Sequence, residues 1–282
     1  MKAVLCISLL LWPACGEAPP VEVLAPAPAW ALVLEQLPDP LVVTDPVLRE
    51  RIEASGLPWR VRHQFSGIEM LLVPTGDGLR GAEPEDEEAS ADERPAHVVH
   101  VLEPYYLGRF EVTQAQWRQV LGSDPSFFAG EDQAPVEQVD RASVQQFLME
   151  ADLQLPTESQ WEVACRAGSA GARYGELEEV SWTRKNAKGR AHLVGQLQPN
   201  ALGFYDLLGN VWEWTSSGFS ETEYERCAAG VNAAQRMRFS TLVVLRGGSW
   251  YDAPRRARAS SRYFAGWDLA GSHVGLRVLR KP

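Results

Sequence analysis

The chain is organised around the stretch Gly203-Phe204-Tyr205-Asp206-Leu207-Leu208-Gly209-Asn210-Val211-Trp212-Glu213-Trp214-Thr215. A second stretch, Arg246-Gly247-Gly248-Ser249-Trp250, follows it in the sequence. Together they combine tryptophans, two spaced carboxylates, and the glycine and asparagine residues that favour turns. A regular helix or strand does not require this mixture. The sequence therefore predicts an irregular, locally built structure at this point.

The composition indicates a globular protein that does not bind nucleic acid. The chain has 282 residues, of which 45% are hydrophobic and 23% charged, enough to bury a sizeable core. Its formal net charge is -10, whereas binding to nucleic acid depends on Lys and Arg side chains that neutralise phosphates. Ten tryptophans, 23 glycines and 19 prolines predict many loops held together by large aromatic side chains.

The first residues have the pattern of an export signal. Lys2 precedes an apolar run from Ala3 to Trp12, which is too short to span a bilayer and predicts a signal peptide over residues 1–14. Cys15 follows Ala14 as in a bacterial lipoprotein box, although Trp12 stands where that pattern prefers Leu. We expect lipid attachment at Cys15, with ordinary signal cleavage nearby as the alternative. The expected location is the periplasm or the outer membrane.

Three further regions follow the signal. Residues 15–44 are rich in Pro and Ala and are expected to form a tether. Residues 45–58 predict a short lead-in helix, with Asp45 as N-cap, Pro46 in the first turn and Gly56 after its end. Residues 59–282 are expected to form the main domain.

Within the main domain, the pattern predicts short strands and a few helices. Glu69–Val73 reads as a buried strand, followed by a turn at Thr75–Gly78. Three helices are predicted from caps or apolar spacing: one after Thr113 and ended by Gly122, one from Arg141 to Ala151, and one after Thr157.

Two groups of residues suggest a metal site but favour a simpler interpretation. The acids between Glu83 and Glu93 are consecutive rather than spaced to meet at one point, so we expect a solvated loop instead of a cation site. His97 and His100 are three residues apart in a predicted strand, where they point to opposite faces. They are therefore not expected to share an ion.

Several motifs occur in an order that resembles the sulfatase-modifying-factor family, the formylglycine-generating enzymes and their relatives. From about residue 60 to 280, they are Glu111-Val112-Thr113, Leu155-Pro156-Thr157-Glu158-Ser159-Gln160-Trp161-Glu162, Val194-Gly195, Pro199-Asn200-Ala201-Leu202-Gly203-Phe204-Tyr205-Asp206, Gly209-Asn210-Val211-Trp212-Glu213-Trp214, Arg246-Gly247-Gly248-Ser249-Trp250 and Gly275-Leu276-Arg277. The resemblance implies the α+β fold class, as a single C-type-lectin-like domain that is rich in loops, with short strands and a few helices.

The opening stretch predicts a structural calcium site. A Gly-Asn turn separates Asp206 from Glu213, so the chain can fold back and bring both carboxylates to one point, and Ca²⁺ prefers oxygen ligands on such loops. The resemblance implies the same ion, with the backbone carbonyls of Gly209 and Val211 as further ligands. The alternative is that both acids cap turns or pair with arginines such as Arg246. Their tryptophan neighbours are expected to lie in the core.

The chain lacks the cysteines that the resemblance would require for oxidation. The oxidising members of the family bind copper through two cysteines, and the matching positions here are Asp252 and Ala257. Copper(I) needs soft thiolates, which neither side chain can supply. Formylglycine generation is therefore not expected. Cys165 and Cys227 remain as a disulfide pair or as two free thiols.

Iron is not supported by the sequence either, and neither is copper at another position. The histidines have no spacing that indicates a three-ligand site. The five are His63, His97, His100, His192 and His273.

A candidate pocket follows the second stretch. In the family this region lines the cleft, so Ser249, Trp250, Asp252 and Arg255 are candidates to bind an anionic or peptide ligand. Arg258 and Arg262 are instead expected to neutralise buried acids.

The sequence favours a lipid-anchored, calcium-stabilised binding or scaffold module that recognises a protein or small molecule at a membrane. One alternative is a metal-dependent oxidoreductase of the same family that uses a site without cysteine. The other is formylglycine generation on sulfatases. Whether the chain is an enzyme stays open at this stage.

Overall fold

A computed structural model describes residues 28–230 and 241–282. The predicted signal peptide, the lipidation residue Cys15 and the first part of the predicted tether lie outside the described residues. In the described ranges, no helix is both long and apolar enough to cross a lipid bilayer.

Short strands and short helices alternate along the described chain. The strands are β1 (Ala31–Glu35), β2 (Arg60–His63), β3 (Glu69–Val73), β4 (Gly76–Arg80), β5 (His97–Val101), β6 (Tyr105–Gly108), β7 (Ser181–Trp182), β8 (Leu208–Gly209), β9 (Trp212–Gly218), β10 (Val243–Arg246), β11 (Arg262–Ala265), β12 (Val274–Leu276) and β13 (Leu279–Arg280). The helices are α1 (Pro46–Ala54), α2 (Gln114–Leu121), α3 (Arg141–Ala151), α4 (Glu158–Arg166), α5 (Leu177–Val180) and α6 (Glu223–Ala228).

Two sheets form the framework. The larger has the strand order β1-β2-β3-β6-β13, and all its neighbouring strands are antiparallel. The smaller has the order β11-β10-β9-β12, in which β12 runs parallel to β9. Long loops connect the sheets, and buried aromatic side chains such as Trp59, Trp117, Trp161 and Trp214 fill the core. The α+β, loop-rich, single-domain prediction is confirmed.

The three predicted helices are present. The side chains of Thr113 and Thr157 each cap a helix and form capping boxes with Gln116 and Gln160, which satisfies backbone donors at the start of α2 and α4. Gly122 ends α2 in the left-handed conformation. α3 has the predicted bounds and buries Val144, Phe147 and Ala151 of the predicted apolar face, whereas Leu148 is half-buried.

Two local predictions were wrong. Residues 31–35, inside the expected tether, form β1 and pair with β2, because the apolar run Ala31-Leu32-Val33-Leu34 can extend a sheet edge. The expected turn at Thr75–Gly78 lies largely in β4, which pairs with β5. A side chain at Gly78 would lie 2.7 Å from Val163, so glycine here serves close packing of α4 rather than a turn.

Buried ion pairs attach α4 to the smaller sheet and to β4. Arg262 Nε donates to Glu158 Oε1 at 2.7 Å, Arg80 Nη2 donates to Glu158 Oε2 at 2.7 Å, and Arg246 Nη2 donates to Glu162 Oε2 at 2.6 Å. Burial alone would raise the pKa of Glu158, but the arginines outweigh it and hold that pKa at about 2. The prediction that Arg262 neutralises a buried acid is confirmed.

The acidic loop is only partly solvated. Glu93 is buried and receives Arg258 Nη1 and Nη2 on its two oxygens at 2.8 and 2.9 Å, and Asp86 binds the same Nη1 at 2.8 Å. The expected role of Arg258 is therefore confirmed, whereas the expectation of a wholly solvated loop is wrong at Glu93. The guanidinium of Arg258 makes this bidentate contact and therefore holds the acidic loop against the segment that follows β10.

The two described cysteines are unpaired, and the two strand histidines alternate along β5. Cys165 is buried and Cys227 half-buried, and both are free thiols. His97 and His100 alternate along β5 as predicted, and His100 pairs with exposed Asp77. Within residues 28–230 and 241–282, no three His, Cys, Asp or Glu side chains form a group that could hold a metal ion.

The Glu158 network predicts an acid-sensitive stability. Because the pKa of Glu158 falls from its ordinary 4.5 to about 2 on folding, its stabilising contribution is complete above pH 4.5 and is lost as the pH falls toward 2. Glu158→Gln should remove that part of the pH dependence. It should also lower the free energy of unfolding at neutral pH by roughly 3–5 kcal/mol, because the facing arginines lose their charge partner.

Urea unfolding between pH 2.5 and 7 measures both effects. The exposed Glu150 on α3 offers a matched control, and Glu150→Gln should follow the wild type. An unchanged pH slope in Glu158→Gln would contradict the assignment.

Candidate functional site

The stretch from Asp206 to Asn210 curls tightly. Asp206, Gly209 and Asn210 have φ values of 55°, 85° and 54°, in the left-handed region. Gly209 is required there, because an added Cβ would lie 2.3 Å from the Trp182 carbonyl oxygen. β9 begins two residues later and carries Glu213 into the interior. The loop therefore folds back as the sequence predicts.

Glu213 is held by an arginine and a tryptophan. Arg277 donates from Nη2 and Nε to Oε1 at 2.8 and 3.0 Å, and Trp161 Nε1 donates to Oε2 at 2.6 Å. All three side chains are buried. The arginine partner is Arg277, which the sequence analysis placed only in a family motif, and not Arg246.

Asp206 is buried but only half satisfied. Its Oδ2 accepts the Gly195 N–H at 2.7 Å, whereas its Oδ1 has no hydrogen-bond partner among the described residues. Burial raises the pKa of Asp206 to about 6, and the negative charge of Glu213 adds to the rise. Of the two carboxylates predicted to bind calcium, Asp206 therefore has fewer partners to stabilise its negative charge than Glu213.

A third carboxylate, Glu111, completes the group. Its Oε2 accepts Asn210 Nδ2 at 2.6 Å and its Oε1 accepts the Val211 N–H at 3.1 Å. Burial, and then the charges of Asp206 and Glu213, raise the pKa of Glu111 well above its ordinary range. The sequence analysis did not single Glu111 out, although it opens the first family motif. Glu111 lies about a hundred positions before the loop, so no local signal in the sequence indicates this contact.

These contacts leave the buried group short of positive charge. Within residues 28–230 and 241–282, three buried carboxylates, Glu111, Asp206 and Glu213, face one guanidinium, that of Arg277. Buried charge is stable only when it is compensated, here by a proton or by a cation. The three carboxylates do not meet as a metal-binding group within the described residues, so a cation would have to bind at the free Asp206 Oδ1 with other oxygen ligands. Carbonyl oxygens would have to complete such a site, as the predicted set with Gly209 and Val211 does.

The second stretch lies against this loop. Gly209 N–H donates to the Gly247 carbonyl, and Trp250 N–H donates to the Asn210 carbonyl, each at 2.8 Å. Gly248 has a φ of 83°, and an added Cβ would lie 2.9 Å from the Arg256 carbonyl. The turn therefore packs the two stretches together, and the absence of a side chain at Gly248 lets the backbone of Arg256 lie against it.

Asp252, which the resemblance predicts to replace the first family cysteine, is fixed by neighbouring side chains. Its Oδ2 accepts Trp212 Nε1 at 2.8 Å and also the Ser249 hydroxyl. Ser249 is fully buried, so it orients Asp252 and does not itself reach solvent. Ala257, at the second position, is also buried. No thiol lies at either position.

The other candidate pocket residues border an aromatic surface. Trp250 packs edge to face on Phe128 and on Tyr251, with ring centroids 5.6 and 5.5 Å apart, and Tyr251 lies 5.8 Å from His273. Tyr251 is 61% exposed. Arg255 is exposed, and its guanidinium forms no ion pair with the described part of the chain. Trp212 and Trp214 are buried in the core, as predicted.

Comparison with known proteins places the chain in a family. Residues 58–282 match the Sulfatase-modifying factor enzyme 1-like domain. The chain is 31% identical to hercynine oxygenase of Mycolicibacterium smegmatis, covering 70% of this chain and 57% of the relative. It is 30% identical to the formylglycine-generating enzyme of Mycobacterium tuberculosis, covering 61% and 65%. The chain therefore spans less than two thirds of the length of either relative.

A solved structure shows the same fold. PvdO from Pseudomonas aeruginosa superposes with a TM-score of 0.69 at 24% identity, over 77% of this chain and 95% of that one. The family match covers the buried carboxylate loop, the Gly247–Gly248 turn and Asp252. The chain belongs to the sulfatase-modifying-factor family.

Proposed function

We propose that this protein is a calcium-stabilised binding module anchored to a membrane by a lipid at Cys15, and that it does not generate formylglycine. The observation that carries the proposal is the site at Asp252. A carboxylate fixed by Ser249 and Trp212 stands where the resemblance calls for a thiol, beside exposed aromatic and basic side chains. Such a surface suits recognition of a ligand rather than oxidation.

The ligand would lie on the side of Asp252 that faces solvent. Tyr251 and Trp250 offer aromatic contact area, and Arg255 offers a cation without an ion-pair partner in the described residues. Arginine forms strong, directional hydrogen bonds with carboxylates and phosphates. We infer that the ligand is a peptide or small molecule with an aromatic or apolar part and an anionic group.

Calcium would hold the loop on which this surface rests. The Asp206 to Asn210 curl contacts the Gly247 and Trp250 backbone directly, so a cation bound by the loop would also fix the second stretch. The proposed ligands are the side chains of Asp206 and Glu213 and the carbonyls of Gly209 and Val211. The support is the excess buried negative charge around Arg277 and the free oxygen of Asp206.

Metal analysis tests the calcium site. We expect purified wild-type protein to carry calcium, and its removal by a chelator to lower the melting temperature by roughly 5–10 °C. Asp206→Asn preserves the acceptor for the Gly195 N–H but removes a charge, so it should abolish most of the bound calcium and most of that shift. Glu213→Gln should act in the same direction, with added loss of stability from unpaired Arg277.

Asp268, which is exposed, gives the matched control, and Asp268→Asn should bind calcium like the wild type. Calcium content and melting temperature that stay unchanged in Asp206→Asn and Glu213→Gln would refute the site. Copper or iron bound in the same sample, together with oxygen consumption, would favour the metal-dependent oxidoreductase instead.

Formylglycine generation is tested on a sulfatase cysteine peptide. With copper and reductant present, mass spectrometry should show the peptide thiol intact after prolonged incubation, because Asp252 and Ala257 cannot form a copper thiolate site. An active formylglycine-generating enzyme, assayed in parallel, confirms that the peptide is a substrate. Conversion of the thiol by this protein would overturn the binding-module proposal.

The lipid anchor is tested in the full chain. Cys15→Ser should move the protein from the membrane fraction to the soluble fraction, since a single lipidated cysteine is the proposed attachment. Cys227→Ser is the matched control and should remain with the membrane. Equal membrane association of Cys15→Ser and the wild type would contradict the anchor.

A further inference from the structure

A second concave surface lies on another part of the molecule. It is a groove of about 820 Å³ between α3, the start of α4 and β9, a volume in the range of small-molecule sites. Its walls include Arg141, Gln145 and Met149 from α3, with Gln160 from α4 and Ser216 from β9. None of the residues of the calcium loop or of the Asp252 surface lines it. We call it the α3 groove.

Arg141 is the unusual side chain of the α3 groove. In the described residues, its guanidinium makes one hydrogen bond, from Nη1 to the Thr215 carbonyl at 2.8 Å, and no ion pair. Its Nε is buried without any partner. The Arg141 guanidinium is half-buried, bonds a neutral carbonyl and keeps one unused donor. Its positive charge is therefore not balanced by an anionic group in the described residues.

Other buried arginines in the described chain have acidic partners, and Arg141 differs from them in this respect. Carboxylates outweigh burial around Arg258, Arg262 and Arg277 and raise the pKa of each. Around Arg141, by contrast, burial lowers the pKa and no acid opposes it. The fold thus pairs these three arginines with acids, whereas Arg141 has no acidic partner in the part of the chain that the structure describes.

Apart from Arg141, Asp152 and Lys281, the groove is lined by apolar or uncharged side chains. Leu148, Met149, Leu153 and Leu155 provide an apolar wall, and Met149 is 75% exposed. Other charged groups on the rim already have partners: Asp152 pairs with Arg280, and Lys281 pairs with Glu103. The free charge of the groove is therefore positive and lies beside an apolar surface.

We propose that the α3 groove binds a small amphiphilic anion, with its acidic group at Arg141 and its apolar part against Leu148 and Met149. Arginine pairs well with a carboxylate or similar anion, and the leucine and methionine side chains suit a flexible hydrocarbon chain. This site is independent of the proposed calcium loop and of the Asp252 surface.

Calorimetric titration of the purified full chain with sodium octanoate tests the proposal. Octanoate should bind with a Kd on the order of 1 mM or tighter, as its small size allows. Neutral 1-octanol has the same hydrocarbon chain and should bind about tenfold more weakly, because it gains nothing from the charge of Arg141.

Two adjacent glutamines on α3 give a matched pair of variants. Gln145 lines the groove and Gln146 does not, and both are exposed, so neither change should disturb the fold. Gln145→Glu should weaken octanoate binding about tenfold by placing a like charge near the ligand, whereas Gln146→Glu should stay within about twofold of the wild type.

Met149→Gln tests the apolar wall separately and should weaken octanoate and octanol alike. Circular dichroism and melting temperature confirm that each variant is folded. Equal affinity for octanoate and octanol, equal effects of the two glutamate variants, or no binding of octanoate by the wild type would each overturn the proposal.

Discussion

The structure depends on the buried pair of Glu213 and Arg277. Arg277 donates to the carbonyl of Gly108 in the larger sheet, to the carbonyl of Tyr205 before the loop, and to Glu213 in the smaller sheet. One guanidinium thus links both sheets and the loop between them. A domain with so little regular structure has few repeating backbone hydrogen bonds, so single side chains that satisfy several carbonyls take over part of that role.

The same arrangement recurs around α4. Arg246 donates to the carbonyls of Ser260 and Ser261 and to Glu162, while Arg258 binds Glu93 and so attaches the acidic loop. Replacing one member of such a network leaves an unpaired charge in the interior, which is far more costly than the net gain from forming the pair. These networks favour one arrangement of the loops over others that would bury the same apolar area.

The sequence predicted the elements whose cause is local. Thr113 and Thr157 cap their helices through residues only three positions away, and the apolar spacing of α3 is visible within one helix. Contacts made across the fold were not predictable in this way. Glu111 reaches the loop from the segment between β6 and α2, and Gly78 pairs within a strand while Val163 packs closely against it. Candidate residues could be named from motifs, but their partners required the tertiary structure.

An aspartate at position 252 gives the site a different chemistry from the cysteine that the resemblance implies there. A thiolate can bind copper and exchange electrons, whereas a carboxylate accepts hydrogen bonds and carries a fixed charge. Here Trp212 and Ser249 both donate to that carboxylate, so the polar neighbours are matched to an acceptor at this position. Ala257 adds no competing polar group. The scaffold of the family therefore holds a rigid acceptor beside an aromatic surface, and rigidity of this kind lowers the entropy lost when a ligand binds.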